Sequence, residues 1–149
     1  MKNSAHALKI LIAEDDAEDR MFIHDAFAEL QLAAYVSFLE DGEALLRYLH
    51  REPPYEDPNL HPRPNIILMD LNMPRKDGRE ALREIKAHPD LRSIPVIIFS
   101  TSSDSSDISQ SYQSGANSYL TKPVRFQELV SMLRELKTYW LEMARLPDR

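Results

Sequence analysis

Five side chains stand out by their type and by where the chain puts them: Glu14, Asp15, Asp70, Ser100 and Lys122. Each ends or follows a short apolar run. Carboxylates gathered in one pocket repel, and one of them must hold a proton unless a cation is bound. Mg²⁺ suits such a group, because it is a hard ion that takes oxygen ligands, often one or two carboxylates together with phosphate oxygens. Asp70 closes a wholly apolar run, a costly place for a lone charge. A carboxylate there can act as a nucleophile and form an acyl phosphate. The alternative is a turn or helix-cap role, favoured by Pro74 and Gly78 just after it. Phosphoryl transfer asks for in-line placement and for neutralisation of the phosphoryl oxygens. Mg²⁺, the Lys122 ammonium and the Ser100 hydroxyl can supply that. Pro123 follows Lys122, and X-Pro is where cis bonds occur; a cis bond here would aim the ammonium inward. The histidines at 6, 24, 50, 61 and 88 show no metal-ligand spacing on one element and read as surface residues.

These groups need a scaffold that brings strand ends together. Apolar runs at 9–13, 35–39, 65–69, 95–99 and 118–121 alternate with segments of helical period, as in a parallel sheet covered on both faces. The first helix carries Phe22, Ile23, Ala26, Phe27 and Leu30 on one face. Asp16 is placed to cap it, with Glu18 and Asp19 at its positive end. Asp41-Gly42 makes a turn before a short helix with Ala44, Leu45, Tyr48 and Leu49. A third helix uses Ala81, Leu82 and Ile85. The serine-rich stretch 102–114 predicts a weak, mobile helix closed by Gly115. The last helix uses Phe126, Leu129, Val130, Leu133 and Leu136 and is expected to run on to Trp140. From Arg51 to Pro64 the chain holds five prolines and must be an irregular surface loop. The fold class is therefore α/β: a doubly wound, five-stranded parallel sheet with five helices. Such sheets place their site beyond the carboxyl ends of the strands.

Size and composition set bounds. The chain of 149 residues suffices for one domain with its own core. It carries no cysteine, which excludes disulfides and thiolate metal sites. With a net charge of −6 and no basic cluster, direct nucleic-acid binding is not expected. No apolar stretch has the length of a membrane span or a signal peptide, so a cytoplasmic protein is expected.

Taken together, ILIAEDD (10–16), IILMDLNMPRKDG (66–78), IPVIIFST (94–101) and GANSYLTKP (115–123) resemble the receiver domains of two-component signalling, over about 9–136. The intervals fit as well: 30 residues from Asp70 to Ser100 and 22 from Ser100 to Lys122. The resemblance implies the flavodoxin-like receiver fold and a set of roles. Asp70 would be the phospho-acceptor. Asp15 would bind Mg²⁺ directly, Glu14 through a metal-bound water, and Asn72 through its backbone carbonyl. Ser100 and Lys122 would contact the phosphoryl oxygens, with Pro123 as the cis proline. Tyr119 would be the aromatic switch, turning inward as the Ser100 hydroxyl moves toward the phosphate. Glu14 departs from the family in standing where many members have Asp, and Thr101 offers a second hydroxyl beside Ser100.

No output domain is expected after Leu136, so 1–149 reads as one receiver with a C-terminal extension at 137–149. That extension and the proline-bearing loop resemble the small response regulators that partner bacterial phytochromes. The implied donor is a histidine kinase of phytochrome type. Trp140, Met143 and Leu146, three residues apart, are expected on one helix face. Such a face either folds back on its own domain or, where exposed, marks a contact; the second is preferred, so a homodimer is expected. A switch rather than a turnover enzyme is favoured. An aspartate-nucleophile phosphatase would need a second acid two residues after Asp70, where Asn72 stands. A phosphorylation-independent scaffold would be expected to lack one of the site residues.

Overall fold

The computed structural model describes residues 8–147; His6 and the last two residues of the C-terminal extension lie outside them. Strands β1 (Ile10–Ala13), β2 (Val36–Leu39), β3 (Ile66–Met69), β4 (Val96–Ser100) and β5 (Ser118–Thr121) form one sheet in the order β2-β1-β3-β4-β5. Every pairing is parallel. The helices are α1 (Ala17–Glu29), α2 (Gly42–Leu49), α3 (Gly78–Ala87), α4 (Ser105–Gln113) and α5 (Phe126–Leu136).

The two-residue period of a strand divides its side chains between the sheet faces. Ile10, Ile12, Ile66, Leu68, Ile97 and Phe99 pack with Ile23, Ala26 and Phe27 of α1 and with Leu129, Val130 and Leu133 of α5. Leu11, Ala13, Ile67, Met69, Val96 and Ile98 pack with Leu45 and Leu46 of α2 and with Ala81, Leu82 and Ile85 of α3. Both faces of β1, β3 and β4 are therefore covered, which is why those strands read as unbroken apolar runs.

Local chemistry fixes the helix starts. Asp16 accepts the amides of Glu18 and Asp19, as expected of an N-cap. Asp41 is an N-cap rather than a turn residue, accepting the amide of Ala44 at 2.7 Å. Asp77 and Asp104 cap α3 and α4 in the same way. Gly115 ends the α4 region at φ +108°, a conformation that favours glycine. Tyr35 belongs to a 3₁₀ turn before β2, not to the strand. The proline loop has no regular element. It is tied down by the Tyr48 hydroxyl on the Pro62 carbonyl at 2.7 Å and by ring contacts of His61 with Tyr48 and Tyr55. His61 is thus half-buried, and His50 and His88, from different elements, meet ring to ring.

The C-terminus departs from the expected helix. After Leu136 the chain continues as a π-helical segment, Lys137–Met143, and turns extended at Ala144. An i→i+5 winding breaks the three-residue periodicity, so Trp140, Met143 and Leu146 do not share a helix face. Trp140 and Leu141 fold back against the α1/α5 core, while Tyr139 and Met143 are exposed.

Candidate functional site

The sheet brings the expected groups to one edge. Backbone pairing carries on past the strands: the amide of Asp70 donates to the Ala13 carbonyl and that of Glu14 to the Leu39 carbonyl. Glu14, Asp15 and Asp70 each offer a carboxylate oxygen within 4.8 Å of the others. Glu14 is buried at 2% exposure and Asp70 nearly so, while Asp15 is exposed.

Lys122 enters this acidic group from the end of β5. Its Nζ donates to Glu14 Oε1, to Asp70 Oδ2 at 3.0 Å and to Asp19 Oδ2 at 3.2 Å. Burial opposes the ammonium charge, but the Glu14 and Asp70 carboxylates outweigh it and raise the lysine above its usual range. For Glu14 burial is the larger effect and pushes its carboxyl up, only partly offset by Lys122 and by the Asp16 amide on Oε2 at 3.1 Å. Asp70 Oδ1 accepts the Leu71 amide at 2.7 Å, with the Asn72 amide at 3.5 Å.

Lys122 makes these contacts from a trans peptide. Pro53–Pro54 is the cis bond among the described residues, and the expected cis bond before Pro123 is not there. Trans is the ordinary state even for X-Pro, and the reach of the lysine stem suffices to deliver Nζ to three carboxylates.

Ser100, the last residue of β4, is fully buried; its Oγ accepts the Ser102 amide at 3.1 Å. Thr101 is exposed and lines a cleft on the α1 side with Phe22, Pro123 and Val124. Strand alternation thus separates the two hydroxyls, and Ser100 is the one turned inward. Tyr119 of β5 is half-buried, and its hydroxyl donates to the Ser102 carbonyl at 2.9 Å.

Other groups at the site were not singled out from sequence for this part. Asp19, in the first turn of α1, comes to the site through the Lys122 ammonium, whose bond it accepts at 3.2 Å. Arg20 Nη1 clamps the carbonyls of Glu14 and Asp15, both at 2.9 Å. Ser102 and Asp107 meet locally, five residues apart, whereas Arg79 reaches Asp107 from α3 across 28 residues, a pairing that no spacing in the sequence announces.

The donor set is all oxygen, with no thiolate or imidazole, and this suits a hard divalent ion. Residues 10–134 match the family described as response regulator receiver domain. Response regulator Rcp1 of Synechocystis sp. is 39% identical over 138 residues, 93% of this chain and 92% of that protein. Its Mn²⁺-bound structure superposes with a TM-score of 0.83 at 38% identity, covering 95% of this chain and 100% of that one. The phosphorylated cyanobacterial phytochrome response regulator RcpA gives 0.85 at 38% identity, with 95% and 100% covered. Response regulator RPA3017, from red light signaling of R. palustris, gives 0.91 at 35% identity, with 96% and 100% covered.

Proposed function

The chain belongs to the response regulator receiver domain family, and on that footing we propose that it is a phosphorylation-driven switch whose acceptor is Asp70. The observation that carries this reading is the Lys122 ammonium, 3.0 Å from Asp70 inside a pocket of three clustered carboxylates. A carboxylate oxygen of Asp70 attacks phosphorus, the new O–P bond forms, and the N–P bond to the donor histidine breaks. Asp15, Asp70 and the Asn72 carbonyl would hold Mg²⁺, with Glu14 acting through a metal-bound water. The bound ion supplies charge neutralisation for the phosphoryl oxygens. Lys122 is already aimed at the acceptor and pairs with one phosphoryl oxygen. The buried Ser100 hydroxyl donates to another, and Tyr119 reports its position to the surface.

The donor is a histidine kinase, of phytochrome type by the likeness to Rcp1 and RcpA. The chain acts as a switch in the cytoplasm and not as a turnover enzyme, because Asn72 leaves the pocket without the general acid that a phosphatase of this kind uses. Among the described residues no helix is long and apolar enough to cross a membrane. Exposed Tyr139 and Met143 support self-association through the C-terminal region, where phosphorylation would change affinity. The test is phosphotransfer from a ³²P-labelled phytochrome-type histidine kinase in Mg²⁺. Label moves to the wild type and not to Asp70→Asn; transfer to both would overturn the assignment.

A further inference from the structure

Ser102 lies between β4 and α4, where no strand or helix pairing fixes its peptide. Side chains orient it instead. Its amide donates to Ser100 Oγ at 3.1 Å and its carbonyl accepts the Tyr119 hydroxyl at 2.9 Å. Its own hydroxyl donates to Asp107 Oδ2 at 2.7 Å and accepts the Asp104 amide at 3.2 Å. One residue therefore bonds both parts of the switch, the hydroxyl of Ser100 and the hydroxyl of Tyr119.

Asp107, in the first turn of α4, does not bond the amide of its N-cap; it turns toward Ser102. Its other oxygen accepts Arg79 Nη2 of α3 at 3.0 Å, and Arg79 Nη1 reaches Asn72 Oδ1 at 3.4 Å. Asp107 and Arg79 are only partly exposed, at 24% and 31% of their side chains. The Ser102 hydroxyl and then Arg79 hold the Asp107 carboxyl below its usual range, so the charged form makes these bonds. A continuous set of contacts runs from the loop after the acceptor, through α3 and α4, to Ser100 and Tyr119.

We infer that Asp107, held by Arg79, is a positioning residue: it fixes the Ser102 peptide and so holds the Tyr119 hydroxyl on the Ser102 carbonyl, which keeps the ring inward. The Arg79–Asp107 pair therefore weights the inward arrangement of Tyr119 against the outward one. This deepens the receiver reading and rests on it for its functional meaning, but the geometry itself does not require phosphorylation.

The test labels the protein with 3-fluorotyrosine and follows Tyr119, assigned with Tyr119→Phe, by ¹⁹F NMR. Asp107→Ala and Ser102→Ala move the inward-to-outward ratio about fivefold toward outward, as expected for one partly exposed charge-assisted bond. Arg79→Gln moves it the same way, and Ser102→Thr, which keeps the hydroxyl, restores the wild-type signal. An unchanged Tyr119 signal in folded Asp107→Ala would overturn the inference, as would Ser102→Thr behaving like Ser102→Ala. If Asp107→Ala fails to fold, the Ser102 pair decides, since both variants leave the Arg79–Asp107 ion pair in place. Acetyl phosphate and Mg²⁺ added to the same samples test the acceptor separately. Absence of uptake in the wild type would remove the receiver reading while leaving the fluorine result standing.

Discussion

Gly78 presses against the backbone of Asp70: a Cβ on Gly78 would lie 2.1 Å from the Asp70 carbonyl oxygen and 2.8 Å from Leu71 Cα. The Gly78 amide also donates to the Leu71 carbonyl at 2.8 Å, so α3 starts hard against the proposed phospho-acceptor. Gly78→Ala must displace that peptide. The better helix propensity of alanine, up to ~1 kcal/mol, is outweighed by overpacking of about 1–3 kcal/mol. Urea denaturation should show a net loss, and phosphoryl uptake should slow because Asp70 is displaced. A variant as stable and as quick as wild type would show that the contact places no constraint on Asp70.

Lys122 holds two nearly buried carboxylates together, and its own side chain is only 8% exposed. Lys122→Met leaves Glu14 and Asp70 facing each other without a cation. Removing one partner of a buried ion pair costs about 3 kcal/mol, and that loss is expected in EDTA. Mg²⁺ should return part of it by binding the folded state. Equal destabilisation with and without Mg²⁺, read from urea midpoints, would contradict a shared role for lysine and metal.

Asp19 and Asp15 differ in what they offer a cation. Asp15 belongs to the carboxylate cluster, whereas Asp19 touches Lys122 from a side chain that is 41% exposed. Asp15→Asn removes a donor, and its Mg²⁺ affinity should fall by about tenfold or more. Asp19→Asn removes only a screened charge, so its loss should be about threefold or less. Titration calorimetry measures both, and the reverse order would move the metal site toward α1.

Asp41 links α2 to the loop that follows Asp70, through the Arg75 Nε at 2.7 Å, while the Gly42 amide donates to the Lys76 carbonyl. Burial opposes its charge, but the Ala44 amide and Arg75 together hold the carboxyl below its usual 3.8. A depressed folded value means that this stabilisation is complete above the unfolded pKa and fades as pH falls through the folded one. Asp41→Asn keeps a capping oxygen and loses the charge. The denaturation midpoints of wild type and variant should therefore differ near neutral pH and converge below about pH 4. A gap that persists in acid would assign the effect to packing.

Much of the site was legible before the fold was known, for a physical reason. In a doubly wound sheet the apolar runs are the strands, and the polar residues that interrupt them, Glu14, Asp70, Ser100 and Lys122, mark the strand ends where the site must lie. What stayed hidden depends on packing between elements or on local winding. Arg79 and Asp107 are 28 residues apart and meet only across the α3–α4 seam. The π-helical turn that folds Trp140 onto the core leaves no periodic signature, because seven residues are too few to show a changed period. The peptide before Pro123 carried the least information, since the two X-Pro isomers differ by only about 0.5–1 kcal/mol.

The most direct test of the central claim is the intact mass of the protein after incubation with acetyl phosphate. Wild type in Mg²⁺ should gain one phosphoryl group, and neither Asp70→Asn nor a metal-free sample should gain any. A gain that survives in Asp70→Asn, or that needs no divalent ion, would contradict the assignment of Asp70 as the acceptor in a metal-dependent switch.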